Sequence, residues 1–135
     1  MHNRLRVLII DDNRGDIDLL RRAFEPVCDA EFTSICDGES ALETIPGAAP
    51  SSYDLVLIDW RMPGVEGDRL AMALLDRYRS SRCKPAIVVL SSALPPSIGS
   101  ALESKGAIIL GKPADLDGYD VLAQRLYALA KAEPR

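Results

Sequence analysis

The chain has 135 residues, a length at which one domain can bury a single hydrophobic core. Its net charge of -4 argues against a broad basic face for nucleic acid, and its three cysteines lack the paired spacing of a disulfide framework or a metal site. The apolar runs are too short for a signal segment or a membrane span, so we expect a cytoplasmic protein with no nucleic-acid partner and no membrane partner.

Four short apolar runs are typical of β-strands that are covered on both faces, a weaker strand signal lies between the first two, and amphipathic segments alternate with the strands. The predicted strands are residues 5–10, 30–35, 55–58, 86–90 and 107–110. Helices are predicted between Asn13 and Pro26, around 40–45, around 70–75, from Pro95 to Lys105, and over 115–130. The inward side of the last helix is predicted to carry Val121, Leu122, Leu126, Leu129 and Ala130.

This alternation predicts an α/β fold, a doubly wound five-stranded parallel sheet with helices on both faces. We expect one domain over residues 1–135, with its core at about 5–130 and no second domain attached.

Polar residues end four of the predicted strands. They are Asp11 and Asp12 after the first strand, Asp59 after the third, Ser91 after the fourth, and Lys112 within Gly-Lys-Pro after the fifth. Ligands of open parallel sheets bind at the carboxyl ends of the strands, so we expect these side chains to lie together. Neighbouring carboxylates repel one another unless a cation lies among them, and oxygen ligands of this kind suit Mg²⁺. The combined charge of three aspartates, one divalent metal ion and one lysine is close to zero.

The motifs IIDDN, LVLIDWRMPGVEG, LSS and GKP, in this order, resemble the receiver domain of two-component response regulators, particularly the single-domain chemotaxis type. The resemblance extends from Leu5 to about Ala130. It implies a flavodoxin-like strand order of 2-1-3-4-5, which the hydrophobic pattern alone does not determine. The segment DDNRGDIDLLRRAF is also similar to single-domain regulators that are paired with phytochrome-type kinases, although Arg14 replaces the usual proline.

By this resemblance, Asp59 is the phosphoacceptor, and the donor is a sensor histidine kinase or a phosphotransfer protein. The implied metal ligands for Mg²⁺ are Asp12, Asp59 and the backbone carbonyl of Arg61, with Asp11 binding through water. The implied phosphate-binding groups are Ser91, Ser92, the backbone of Trp60, and Lys112. The implied output is contact with a downstream protein, so the chain is expected to be a signalling receiver, not an enzyme. The oligomeric state is left open, and a homodimer is among the states allowed.

The sequence departs from the family pattern at three places. The resemblance implies a switch at Ser91 and position 109, but Ile109 stands where an aromatic residue is usual, and GAIILGKP is one residue shorter than the common pattern. Arg61 and Ala93 occupy positions from which side chains control the access of water to the phosphoryl group. Pro95 and Pro96 restrict the start of the following helix.

Three other functions can be weighed against the same residues. A flavodoxin-type FMN site needs a loop of backbone N–H groups after the first strand, whereas DDNRGD would repel a phosphate. A haloacid-dehalogenase-like phosphatase needs an Asp-x-Asp pair at one strand end, whereas Asp11 and Asp12 are adjacent. The third alternative, a degenerate receiver that binds proteins without phosphorylation, is favoured by Ile109 and opposed by Asp12, Asp59, Ser91 and Lys112.

Overall fold

The computed structural model describes residues 4–37, 40, 41, 43, 53–60, 67–78, 85–92 and 94–131. Five strands form one parallel sheet: β1 (Leu5–Ile10), β2 (Ala30–Ile35), β3 (Leu55–Asp59), β4 (Ala86–Ser91) and β5 (Ile108–Gly111). Their order is β2-β1-β3-β4-β5, which confirms the flavodoxin-like order. The strand β2 has the predicted bounds, whereas β3 and β4 each extend one residue further and end on Asp59 and Ser91.

Four helices have defined bounds among the described residues: α1 (Arg14–Phe24), α2 (Gly67–Tyr78), α3 (Pro96–Ser104) and α4 (Leu116–Lys131). Of the helix predicted around 40–45, Ser40, Ala41 and Glu43 are helical and the other positions lie outside the described residues. The start of α3 at Pro96 agrees with the rule that proline is tolerated in the first turn of a helix.

The core lies in two layers, one on each face of the sheet. Alternate strand residues such as Val7, Leu57 and Leu90 pack with α1 and α4 on one face. The intervening residues, such as Leu8 and Ile58, pack with α2 and α3 on the other face. Because both faces are covered, every residue of β3 is buried, which explains why the sequence reads as a continuous apolar run.

The inward side of α4 differs from the prediction. Leu122 and Leu126 are buried as predicted, and Leu129 and Ala130 pack at the edge of the core. The prediction for Val121 is wrong, since this side chain is 66% exposed. Tyr119 and Ala123 are buried in its place. The helix is rotated so that the amphipathic Tyr119, not Val121, faces the sheet.

Two further predictions, that the cysteines form no disulfide and that no segment spans a membrane, can be checked on the described residues. Cys28 and Cys36 are free thiols, and Cys83 lies outside the described part of the chain. No helix within the described ranges has both the length and the apolar character needed to cross a membrane.

Candidate functional site

The register of the sheet brings the predicted polar residues to one edge. Ile10 of β1 pairs with Ile58 of β3, so Asp11 and Asp59 are neighbours at the ends of adjacent strands. Asp59 pairs with Leu90, and Ser91 pairs with Gly111. Lys112 follows Gly111 directly, and its backbone N–H donates to the Ser91 carbonyl at 3.1 Å. The pairing of four strands therefore determines which side chains meet.

Asp11 is fixed from two directions. Its backbone N–H donates to the Ile35 carbonyl at 3.0 Å, which continues the pairing of β1 with β2. Its carboxylate oxygen Oδ1 accepts the backbone N–H of Asn13 at 2.9 Å. The residue is only 4% exposed. The position of this carboxylate is thus set by the backbone around it.

Three carboxylates form an acidic cluster that consists of Asp11, Asp12 and Asp59. One oxygen from each lies within 4.8 Å of the others, and Asp11 and Asp59 are buried while Asp12 is exposed. In an octahedral Mg²⁺ site, oxygens on opposite sides of the ion are about 4.2 Å apart. The three side chains therefore form a group that could hold a small divalent cation, with the exposed side of Asp12 open to solvent.

Lys112 supplies the positive charge of the site. Its ammonium Nζ lies 3.2 Å from Asp11 Oδ2 and 3.5 Å from Asp59 Oδ2. Burial alone would lower the pKa of Lys112, but the hydrogen bond to Asp16 and the charges of Asp11 and Asp59 raise the pKa above its ordinary value. Lys112 therefore carries a positive charge at neutral pH. A cation among the clustered aspartates is what the sequence predicted.

Asp16, in the first turn of α1, is the functional candidate that the sequence analysis missed. Its Oδ2 is the nearest carboxylate oxygen to Lys112 Nζ, at 2.9 Å. The side chain of Asn13 caps the helix, with Asn13 Oδ1 accepting the Asp16 N–H at 3.0 Å. With Asp16, three carboxylates contact the Lys112 ammonium group and Asp12 lies beside two of them, so the site carries one more negative charge than predicted.

Ser91 and Trp60 lie at the same edge of the sheet. Ser91 is buried at the end of β4, and Ser92 follows it as an exposed residue. The Trp60 side chain packs beside the core on the α2 side of the sheet. The Trp60 backbone N–H already donates to the Leu90 carbonyl at 2.9 Å, so a phosphate contact through this group would require that bond to open.

Three candidate positions remain, and Ile109 is the one that lies among the described residues. Ile109 is half-buried in β5 and packs against the core on the α2 and α3 side. Arg61 and Ala93 lie outside the described residues.

Comparisons with known proteins agree with this geometry. The sequence model of the family described as the response regulator receiver domain matches residues 7–123. The chain is 30% identical over 109 residues to the cyclic di-GMP phosphodiesterase response regulator RpfG of Xanthomonas campestris, covering 81% of this chain and 28% of that protein. It is 26% identical over 88 residues to hybrid signal transduction histidine kinase L of Dictyostelium discoideum, covering 65% of this chain and 5% of that protein. The chain thus spans only a small part of the length of these relatives.

Solved structures share the fold over almost the whole chain. The receiver domain of a Francisella response regulator is 26% identical with a TM-score of 0.66, covering 95% of this chain and 100% of that one. The Mn²⁺-bound form of response regulator Rcp1 has a TM-score of 0.76 at 18% identity, covering 97% and 99%. The phosphorylated cyanobacterial phytochrome response regulator RcpA has a TM-score of 0.74 at 19% identity, covering 91% of both chains. The last two likenesses show the fold alone.

Proposed function

The chain belongs to the response regulator receiver domain family, and on that basis we propose that it accepts a phosphoryl group on Asp59 from a histidine kinase or a phosphotransfer protein. The observation that carries the proposal is the position of Asp59, buried at the end of β3 beside Asp11 and Asp12 with Lys112 Nζ at 3.5 Å. A buried carboxylate that lies between acidic neighbours and the Lys112 ammonium group suits a nucleophile for phosphoryl transfer better than it suits a structural ion pair.

The proposed reaction is a displacement at phosphorus. A carboxylate oxygen of Asp59 forms a bond to the phosphorus of a phosphohistidine, and the bond from phosphorus to the imidazole nitrogen breaks. The nitrogen keeps the electron pair and takes up a proton, which leaves an acyl phosphate on Asp59. Lys112 stabilises the negative charge on the phosphoryl oxygens, and the Ser91 hydroxyl donates a hydrogen bond to one of them.

We further propose that the site uses Mg²⁺. Asp12, Asp59 and the backbone carbonyl of Arg61 would hold the ion directly, and Asp11 would contact it through water. When bound, the ion supplies positive charge that offsets the phosphoryl oxygens and the clustered carboxylates. Support comes from the spacing of the three carboxylates and from the Mn²⁺-bound form of the structural neighbour Rcp1.

The acyl phosphate is proposed to act as a signal, not as a reaction product released to the cell. Relatives of the chain include a hybrid histidine kinase and a response regulator, which supports a kinase or phosphotransfer protein as the upstream partner. Downstream, we propose contact with a protein target, in keeping with a signalling receiver that takes part only in its own phosphorylation and dephosphorylation.

Intact-mass measurement after incubation with acetyl phosphate tests the proposal. The wild-type chain should gain one phosphoryl group when Mg²⁺ is present and none when a chelator is added at the start. Asp59→Asn should gain none, because an amide is not a nucleophile for this reaction. Asp18→Asn is the matched control, since Asp18 is an exposed carboxylate of α1, and this variant should be labelled like the wild type.

The same measurement distinguishes phosphorylation at Asp59 from the alternative of a degenerate receiver. A receiver that binds partners without phosphorylation predicts no adduct from any small phosphodonor. No adduct on the wild type, or an adduct that survives Asp59→Asn, would contradict phosphorylation at Asp59.

A further inference from the structure

We propose that Asp16 is a positioning residue for Lys112, which it binds in the unphosphorylated protein and must release when a phosphoryl group is present on Asp59. The inference rests on the proposed function, because it concerns the same lysine. In this role Asp16 is a regulatory element of the site, because its carboxylate competes with the phosphoryl group for the ammonium group of Lys112.

The distances around Lys112 Nζ place Asp16 first among its partners. The ammonium lies 2.9 Å from Asp16, 3.2 Å from Asp11 and 3.5 Å from Asp59. A lysine has three N–H donors, so it can address all three carboxylates at once. The strongest contact is therefore to the residue outside the acidic cluster, and the weakest is to the proposed phosphoacceptor.

Asp16 keeps its position independently of Lys112. Its backbone N–H is bound by the Asn13 side chain at 3.0 Å, and it lies in the first turn of α1, where the helix dipole favours a negative charge. The side chains of Asp16 and Lys112 are only 27% and 18% exposed, so water screens their attraction incompletely. Asp16 is thus a fixed anion that attracts Lys112 away from Asp59.

Phosphorylation changes the balance of this competition. An acyl phosphate carries more negative charge than a carboxylate and presents more oxygen atoms, so it attracts the ammonium group more strongly than Asp59 does alone. Because Lys112 Nζ lies 2.9 Å from Asp16 and 3.5 Å from Asp59, we infer that a move toward these oxygens lengthens its contact with Asp16. The cost of weakening that contact lowers the affinity of the site for a phosphoryl group.

Asp16 also connects the site to α4. Tyr119 of α4 is buried in the core beside α1, and this burial, together with the charge of Asp16, raises the pKa of its phenol, so the two side chains are electrostatic neighbours. Release of Lys112 therefore changes the charge balance around the Tyr119 phenol. Since position 109 carries Ile in place of an aromatic residue, this electrostatic coupling gives the phosphorylated site a second route to the helices, on the α1 and α4 side of the sheet.

Binding of beryllofluoride, an analogue of the phosphoryl group, tests the proposal at saturating Mg²⁺. Fluorescence of the single tryptophan, Trp60, reports binding, and the Mg²⁺ affinity of each variant is measured separately. Asp16→Asn should bind beryllofluoride at least about five-fold more tightly than the wild type, because Lys112 no longer has to leave a carboxylate. Asp16→Glu should bind like the wild type, and the exposed control Asp18→Asn should be unchanged.

A second measurement distinguishes positioning from a purely structural role. In the wild type, the NMR signals of the Lys112 ε-methylene protons should shift when beryllofluoride binds. In Asp16→Asn without beryllofluoride, they should already be shifted toward the bound wild-type position.

The outcomes separate this inference from the proposed function. Tight wild-type binding together with equal or weaker binding by Asp16→Asn would overturn the role of Asp16 alone. Failure of the wild type to bind beryllofluoride would overturn the proposed function and this inference with it.

Discussion

At the scale of single residues, the sequence identified most of the site but not its complete charge balance. Asp11, Asp12, Asp59 and Lys112 could be predicted because each ends a strand, and parallel strands bring their ends together. Asp16 could not be predicted as a partner of Lys112. That contact depends on how the first turn of α1 faces the segment after β5, and no local pattern in the sequence specifies this packing.

Lys112 is predicted to stabilise the metal-free protein, because its ammonium group offsets the negative charge of the carboxylates around it. Lys112→Met should lower the free energy of unfolding by roughly 1–3 kcal/mol, because three partly buried carboxylates lose the ammonium group that they contact. Mg²⁺ should then raise the melting temperature more in this variant than in the wild type, since the ion replaces the missing charge. Thermal denaturation with and without Mg²⁺ measures both effects.

Lys105→Met is the control for that comparison, because Lys105 is exposed at the end of α3. An equal response of Lys112→Met and Lys105→Met to Mg²⁺ would contradict a compensating role for Lys112.

Tyr119 is predicted to make stability depend on alkaline pH. Burial, followed by the nearby charge of Asp16, raises the pKa of Tyr119 to about 12 from an ordinary value of 10.0. Because the folded pKa is the higher one, the contribution to stability is complete below pH 10 and is lost as the pH rises toward 12. Chemical denaturation between these pH values should show a shallower loss of stability in Tyr119→Phe than in the wild type. Equal slopes would contradict a phenol that is buried near the charge of Asp16.

At the scale of secondary structure, strands were predicted more accurately than helix orientation. The strand β2 was predicted with its observed bounds, because turn-forming residues flank it. For α4, the prediction chose Val121 as an inward residue on hydrophobicity alone, and it is exposed. The buried position is taken by Tyr119, whose ring fills the core while its hydroxyl meets Asp16. Hydrophobic periodicity does not recognise a residue that is apolar at one end and polar at the other.

The start of α4 is predicted to tolerate only glycine at position 118. A Cβ atom there would lie 2.9 Å from the Pro113 Cβ and 3.0 Å from Asp115 Oδ1, which accepts the Gly118 N–H. Gly118→Ala should therefore lower the free energy of unfolding by roughly 1–2 kcal/mol, although alanine is the better helix former. Urea denaturation measures the change.

Gly99→Ala is the matched control, since it also lies within a helix and its Cβ would make an ordinary contact of 3.5 Å with Leu94. This variant should be neutral or more stable by up to about 1 kcal/mol. A stable Gly118→Ala would contradict the close approach of α4 to the segment after Lys112.

At the scale of the whole molecule, the parallel sheet with two covered faces followed from the alternation of elements, whereas the strand order did not. The order β2-β1-β3-β4-β5 came from the resemblance to receiver domains, and the structure confirms it. Periodicity cannot provide this order because it identifies the strands without specifying which of them are neighbours. The net charge of -4 likewise does not reveal that several carboxylates meet at one edge of the sheet. Only the assembled fold concentrates that charge around Lys112.

The central claim is that this concentration of charge makes Asp59 the phosphoacceptor. Its most direct test is to phosphorylate the protein with acetyl phosphate and Mg²⁺, reduce the acyl phosphate with borohydride, and locate the modified residue by peptide mass spectrometry. Reduction converts a phosphorylated aspartate to homoserine, and we expect homoserine at position 59. Homoserine at position 11, 12 or 16 instead, or at no position, would contradict it.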